Sequence, residues 1–396
     1  MKRTNVILCI ILFMMAGCGG GEKSGSGSEP FITVDVTMKY HKKELILQDL
    51  FDVEYIVLDD DEFVCQGIVL AVGKDVILVK NQINDGDLFV FDRKGKGLRK
   101  INRKGNGGEE YTFLSNITFD ENNNEMFIND NNRILVYDLF GKFKRRLPNN
   151  EELDYGSISI FDNDHLICND TSFDLDEETD RSPFVIISKQ DGNIIENIHI
   201  FSQLKIPEFR KLNYKEMIVT TYGKKFSSVP AMLYHDSWIL TLYSNDTVFR
   251  YLPDQSIIPF IVRTPSIESK ESESYLNPGI LIERYYFLQT VAIEPEAQGT
   301  NPMDTKIFYP TINLVYDRQE KTIYEYTIVN EDFTNQTITN LFPQNGNDEI
   351  AFWRKIEAYQ LVEAYKKGEL KGKLKEVAAD LNEDSNPVIM LVKYKK

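Results

Sequence analysis

Asp174 to Asp180, DLDEETD, places five carboxylates within seven residues. Oxygen ligands of this kind suit calcium, but the run lacks the glycine and the ligand spacing of an EF-hand. A solvated acidic loop is therefore expected and no cofactor is assigned, calcium being the one alternative kept open. His41, His165, His199 and His235 are scattered without metal-ligand spacing, which argues against a histidine-built zinc site. Neither a Gly-x-Ser-x-Gly elbow nor a Gly-x-x-x-x-Gly-Lys-Ser/Thr phosphate loop occurs. Gly105-x-Gly107-Gly108 is not a dinucleotide fingerprint, because strand-like runs and not a helix follow it. No catalytic residue is assigned. The candidate ligand-binding residues are aromatic: Tyr111, Tyr155, Phe173, Tyr214, Tyr222 and Tyr275 lie in or beside polar loops. Their rings could stack on sugars or on apolar peptide side chains, or simply pack.

These loops need a frame, and composition bounds it. The chain has 396 residues, 42% of them hydrophobic and 12% aromatic, a balance that can bury a large core and favours strands. A formal charge of −16 excludes sequence-independent nucleic-acid binding, which needs clustered Lys and Arg.

One hairpin type recurs: a strand ending in an aromatic residue and Asp, a short turn with Gly, then a second strand. Leu88 to Ile101, LFVFDRKGKGLRKI, and Ile134 to Leu147, ILVYDLFGKFKRRL, are its clearest copies. Phe184 to Ile195, Val248 to Ile258 and Asn313 to Tyr324 are looser ones. Asp and Gly suit such turns because they tolerate the backbone angles of a tight hairpin. Two further strand-like runs precede each copy, giving five four-stranded units, the first two 46 residues apart from Phe91 to Tyr137. Repeats of about 40–50 residues with four strands predict a β-propeller.

A sixth blade is expected from Thr337 to Phe342, Glu349 to Trp353 and Pro387 to Tyr394. Its fourth strand is the otherwise unpartnered run Asp52 to Leu58. Closing the ring with a strand from the other end of the chain removes the open edge. The fold class is thus all-β: a six-bladed propeller of four-stranded antiparallel blades closed by an N-terminal strand, with seven blades as the alternative count. Helical spacing of Trp353, Ile356, Tyr359, Val362 and Tyr365, then of Leu370, Leu374, Val377, Ala378 and Leu381, predicts a helical insertion over about 354–382. Its apolar faces are expected on the propeller.

The first residues read as export information. Lys2 and Arg3 precede an apolar run, Val6 to Met15, too short to span a bilayer. Met15-Ala16-Gly17-Cys18 then resembles the bacterial lipoprotein box, which implies cleavage after residue 17 and lipid attachment at Cys18. Each buried acyl methylene contributes about 0.8 kcal/mol, so several chains on one cysteine anchor firmly. Residues 18–30, rich in Gly and Ser, make a flexible tether, and residues 31–396 a single propeller domain. Cys65 and Cys168, both in apolar runs, are expected as buried free thiols.

Gly105-x-Gly107-Gly108-x-x-Tyr111, Ile117-x-Phe119-Asp120 and Asn132-Arg133-Ile134-x-Val136-Tyr137-Asp138 resemble an NHL repeat. More closely, Lys104 to Tyr111, Ile134 to Leu147 and the opening and closing strands resemble the six-bladed propeller lipoproteins of Bacteroides-type bacteria. Gly108 and Glu109 stand where that family's turn has Pro and Gly. The resemblance implies an envelope protein anchored by lipid, at the outer membrane. It is nearly silent on activity, since propellers host many. Arg133 is read as packing the blade.

Loops joining successive blades share a face with those joining second to third strands. The long insertions Asn169 to Pro183, Phe201 to Ser228, Thr264 to Pro278, Ile293 to Tyr309 and Arg354 to Asn386 all fall there. Long loops on a rigid frame tend to be functional. The expected function is a binding or scaffold module for a glycan, peptide or envelope protein through this face. The alternatives are a lactonase- or lyase-like propeller enzyme with a carboxylate-bound metal on the axis, and a structural hub.

Overall fold

Ile77, Leu78 and Val79 are consecutive, and all three are fully buried. A strand that buries both faces needs a sheet on each side of it, which a blade between two other blades has. The outer strand Gly97–Asn102 instead alternates buried and exposed residues, as an edge facing solvent should. The computed structural model describes residues 31–395 except 115, 131–132, 149–152, 172–181, 202, 204–208, 215–216, 223–229, 272, 299–305, 335, 339–340 and 344–348. The signal segment, Cys18, the tether and the acidic run 174–180 lie outside the described residues.

Residues 31–396 form one unit, a six-bladed β-propeller. The first blade is Ile68–Val72, Val76–Lys80, Asp87–Asp92 and Gly97–Asn102, paired antiparallel in that order. The second runs from Asn116–Asp120 to Phe143–Leu147, and the third from Tyr155–Ile160 to Ile194–Ile198. The fourth runs from Ala231–Tyr234 to Ile257–Thr264. The fifth combines Ser274–Leu281, Tyr285–Ala292, Thr311–Asp317 and Thr322–Val329. The sixth sheet is Ile350–Ile356, Val388–Tyr394 and Phe51–Val57, so the N-terminal strand closes the ring as expected.

Six apolar clusters fill the six seams. Leu78 and Val90 meet Ile117 and Tyr137 between the first two blades. Ile389 and Trp353 meet Ile77 and Phe89 across the closing seam. Cys65 and Cys168 are buried and unpaired by disulfide, as expected.

The recurring hairpin has a physical cause. The Asp92 carboxylate accepts the N–H groups of Lys94 and Lys96 at 2.8 and 2.9 Å, and Gly95 adopts φ +87°. Asp138 does the same for Phe140 and Lys142, beside Gly141 at φ +77°. The aspartate closes the turn and the glycine supplies the left-handed residue.

Three findings differ from the sequence reading. Of the expected strand Thr337 to Phe342, only Thr337–Ile338 is a described strand, and it pairs with Thr322–Val329 of the fifth blade. Trp353 lies in the strand Ile350–Ile356, because it is packed between blades; the helices are Ala358–Lys366 and Gly372–Ala379. Leu374 and Ala378 are buried on the propeller with Val388 as the helical spacing predicted, but on the first helix Leu361 and Val362 are buried while Tyr359 and Tyr365 of the expected face are exposed.

The third difference is at the N-terminus. Ile32–Asp35 adds a parallel outer strand to the fourth blade, and Lys42–Ile46 adds one to the fifth. A helical turn, Leu47–Leu50, then leads into Phe51–Val57 of the sixth. The first described residues thus lace three successive blades along their outer edges.

Candidate functional site

The two loop classes share a face, and direct bonds join them around the ring. Thr112 in a blade crossover donates its hydroxyl to Asp130 at 2.6 Å, and Thr171 donates to Asp154 at 2.7 Å. The Ile267 N–H donates to Asp246 at 2.6 Å, and the Ile293 N–H to the Glu273 carbonyl at 2.8 Å. Arg133 donates to Asp130 at 2.8 Å and to the Glu110 carbonyl at 2.8 Å, so it ties a turn to a crossover.

Of the six predicted aromatic residues on this face, the three whose side chains are described all serve packing. Tyr111 is buried and its hydroxyl donates to the Gly86 carbonyl at 2.7 Å, with its ring edge-on to Tyr137. Tyr155 is buried between the second and third blades. Tyr275 is fully buried, edge-on to Tyr243 and packed with Ile267 and Ile293. These three rings are covered by the chain itself, so they offer no open stacking platform. Phe173 lies outside the described residues. So do the side chains of Tyr214 and Tyr222, whose backbones form the hairpin Phe209–Tyr214 and Met217–Tyr222.

A cavity of about 850 Å³ opens on the opposite face, where the short turns lie, at the junction of the fourth, fifth and sixth blades. That volume is in the range of small-molecule and side-chain pockets. Its floor is apolar: Leu45, Met232, Leu281, Pro343 and Ile350 are buried, with Ile46, Leu50 and Leu233 half-buried beside them. All but Pro343, which precedes the strand Ile350–Ile356, come from blade strands or from the N-terminal lace. Alternation along Lys42–Ile46 points Leu45 into the core and leaves Glu44 exposed.

The rim is charged. Glu44, Asp49, His235, Glu283, Arg284 and Lys395 all line it and are exposed. Arg284 is held in place by Asp317, whose buried carboxylate accepts from Arg284 at 3.0 Å and from Lys43 at 2.8 Å. Burial alone would push the Asp317 carboxyl up, but the Lys43 and Arg284 bonds outweigh it and hold the group well below the usual carboxylate range. Burial likewise opposes charge on Lys43, and its bonds to Asp317 and Glu320 reverse that and hold its ammonium above its ordinary value. The Tyr285 ring, part of the wall, sits under the Arg284 guanidinium at 4.9 Å and near the Lys43 ammonium at 5.4 Å. Tyr234 shares a 2.9 Å hydrogen bond with Tyr286 and stands beside the His235 ring.

The remaining rim charges are unequal. The Lys395 ammonium donates to the Asp49 carbonyl at 3.0 Å. Among the described residues, no hydrogen bond or ion pair reaches the carboxylates of Glu44, Asp49 or Glu283.

This cavity was not legible in the sequence. Its residues come from positions 44 to 395, from short turns and from an N-terminal segment that carried no repeat signal. The alternation of Lys42 to Leu47 was the one available hint of a strand there. Asp59, Asp60 and Asp61 form the one described grouping of three metal-ligating side chains, in an exposed turn of a blade crossover. No described helix is long and apolar enough to cross a membrane.

A family model described as a domain of unknown function, DUF4934, matches residues 31–393. Among solved structures, one described as an exported protein of Bacteroides fragilis is similar with a TM-score of 0.61 and 15% identity. That match covers 93% of this chain and 100% of the other, and the likeness is one of fold. Virginiamycin B lyase from Staphylococcus aureus matches at a TM-score of 0.35 and 12% identity, over 71% of this chain and 94% of its own, too distant to bear on activity. No curated protein matches.

Proposed function

The chain belongs to the DUF4934 family, and from that premise we propose that it is a lipid-anchored envelope protein whose propeller is a binding or scaffold module. Cys18 carries the anchor and residues 18–30 the tether, on the strength of the lipoprotein-box resemblance. The observation that supports binding is the cavity of about 850 Å³ with an apolar floor and a charged rim. Its floor residues are mostly held on blade strands and on the N-terminal lace, so the shape exists before a ligand arrives, and little ordering cost falls on binding.

This reading moves the site from the face of the long insertions to the face of the short turns. Nile red, a neutral apolar dye, tests it on the full chain. Saturable binding should be lost in Leu233→Trp, which puts a bulky ring at the cavity wall, with the thermal transition kept. Dye binding unchanged by Leu233→Trp would overturn the assignment.

A further inference from the structure

Resting on that reading of the cavity, we infer that its ligand is a peptide segment presenting an apolar side chain flanked by Lys or Arg. The floor decides the first half. Leu45, Leu281 and Ile350 offer no hydrogen-bonding atoms in their side chains and Met232 only a weakly accepting thioether, so a sugar hydroxyl placed there would lose its water partners without adequate replacement. An aliphatic or aromatic side chain loses only apolar hydration, which is favourable.

The rim decides the second half. Arg284 is the strongest cation on it, and its charge is already matched by Asp317 and Glu320. Lys395 donates to the neutral Asp49 carbonyl and keeps its charge, one positive against three carboxylates. The carboxylates of Glu44, Asp49 and Glu283 have no partner among the described residues, so the uncompensated charge around the opening is negative. The whole chain agrees in sign at −16, so a cationic segment is also steered toward it. A peptide satisfies both halves at once, because side chains of opposite character are its ordinary neighbours.

The test uses the full chain in detergent and three dye-labelled hexapeptides that share a central Leu-Phe pair, flanked by Lys, Ser or Glu. Fluorescence anisotropy should give tightest binding for the Lys peptide, weakening as salt rises. The triple variant Glu44→Gln, Asp49→Asn, Glu283→Gln should bind it about tenfold more weakly and with a flatter salt dependence. Leu233→Trp should abolish binding of all three. Equal binding of the Lys and Glu peptides, abolished by Leu233→Trp, would overturn the charge inference while leaving the cavity as the site. Displacement of Nile red by dodecylammonium but by no peptide would overturn the choice of a peptide. Peptide binding untouched by Leu233→Trp would overturn both this inference and the reading it rests on.

Discussion

The Asp59 N–H donates to the Gly95 carbonyl at 2.8 Å, and this bond ties the sixth blade, which the two ends of the chain build together, to the first. Gly95 lies so near the outer strand of the sixth blade, Phe51–Val57, that a Cβ on it would fall 1.8 Å from the Val57 carbonyl oxygen. The residue must be glycine twice over, for φ +87° and for the approach.

Gly95→Ala should therefore destabilise the protein by at least about 2 kcal/mol, since strain and a backbone clash add. Gly108→Ala is the control: nothing lies within 4 Å of its Cβ position. Urea unfolding should leave that variant within about 0.5 kcal/mol of the parent. Equal midpoints for the two variants would show that the seam is looser than described.

The closure of the sixth blade was readable from sequence, whereas the cavity was not. Asp52 to Leu58 had strand character and no local partner, and a ring needs its last edge covered. Pairing of Phe51 with Tyr394 through Val57 with Val388 follows from that one requirement. Turn chemistry at Asp92 and Asp138 was legible for a different reason: its hydrogen bonds span only two to four residues. Glu44, Leu233, Glu283 and Lys395 meet only because three blades and the lace converge, and no spacing in the chain records that. The aromatic residues misled in the opposite direction. Tyr111 and Tyr275 stand beside polar loops in sequence, yet each ends a crossover where the next blade begins and is buried by it.

Lys189 and Asp120 form an ion pair at 2.6 Å, with 2% and 3% side-chain exposure. Removing one partner leaves a buried charge alone, so Lys189→Met should cost about 3–5 kcal/mol. The double variant with Asp120→Asn should recover part of that loss. Urea melts of the two single variants and the double one measure this coupling directly. A double variant as weak as the sum of its parts would refute it.

Acid should find a specific weakness in the second blade. The Arg145 guanidinium hydrogen-bonded to Glu125 outweighs burial and, with Lys144, lowers the carboxyl from 4.5 to about 2. A depressed folded-state value stabilises fully above the unfolded one and is lost as pH falls from about 4.5 toward 2, for roughly 2–3 kcal/mol. Glu125→Gln should remove that part of the acid slope in pH-dependent melts between those values. An unchanged slope would assign the loss to other carboxylates.

The anchor rests on Cys18. Cys18→Ala should move the protein from the membrane fraction to the soluble envelope fraction on cell fractionation, since the acyl chains supply the attachment. Retention in the membrane would mean another route of attachment.

Occupancy of the cavity between the fourth, fifth and sixth blades is the direct test of where the ligand sits. Leu233→Cys places a thiol on its wall, whereas Cys65 and Cys168 are buried. Alkylation of that residue, followed by mass spectrometry, reports occupancy at one atom. The Lys-flanked peptide at ten times its dissociation constant should slow it about tenfold. Labelling of an Ile83→Cys control at an exposed position should be unaffected. Equal labelling rates at Leu233→Cys with and without bound peptide would contradict the account.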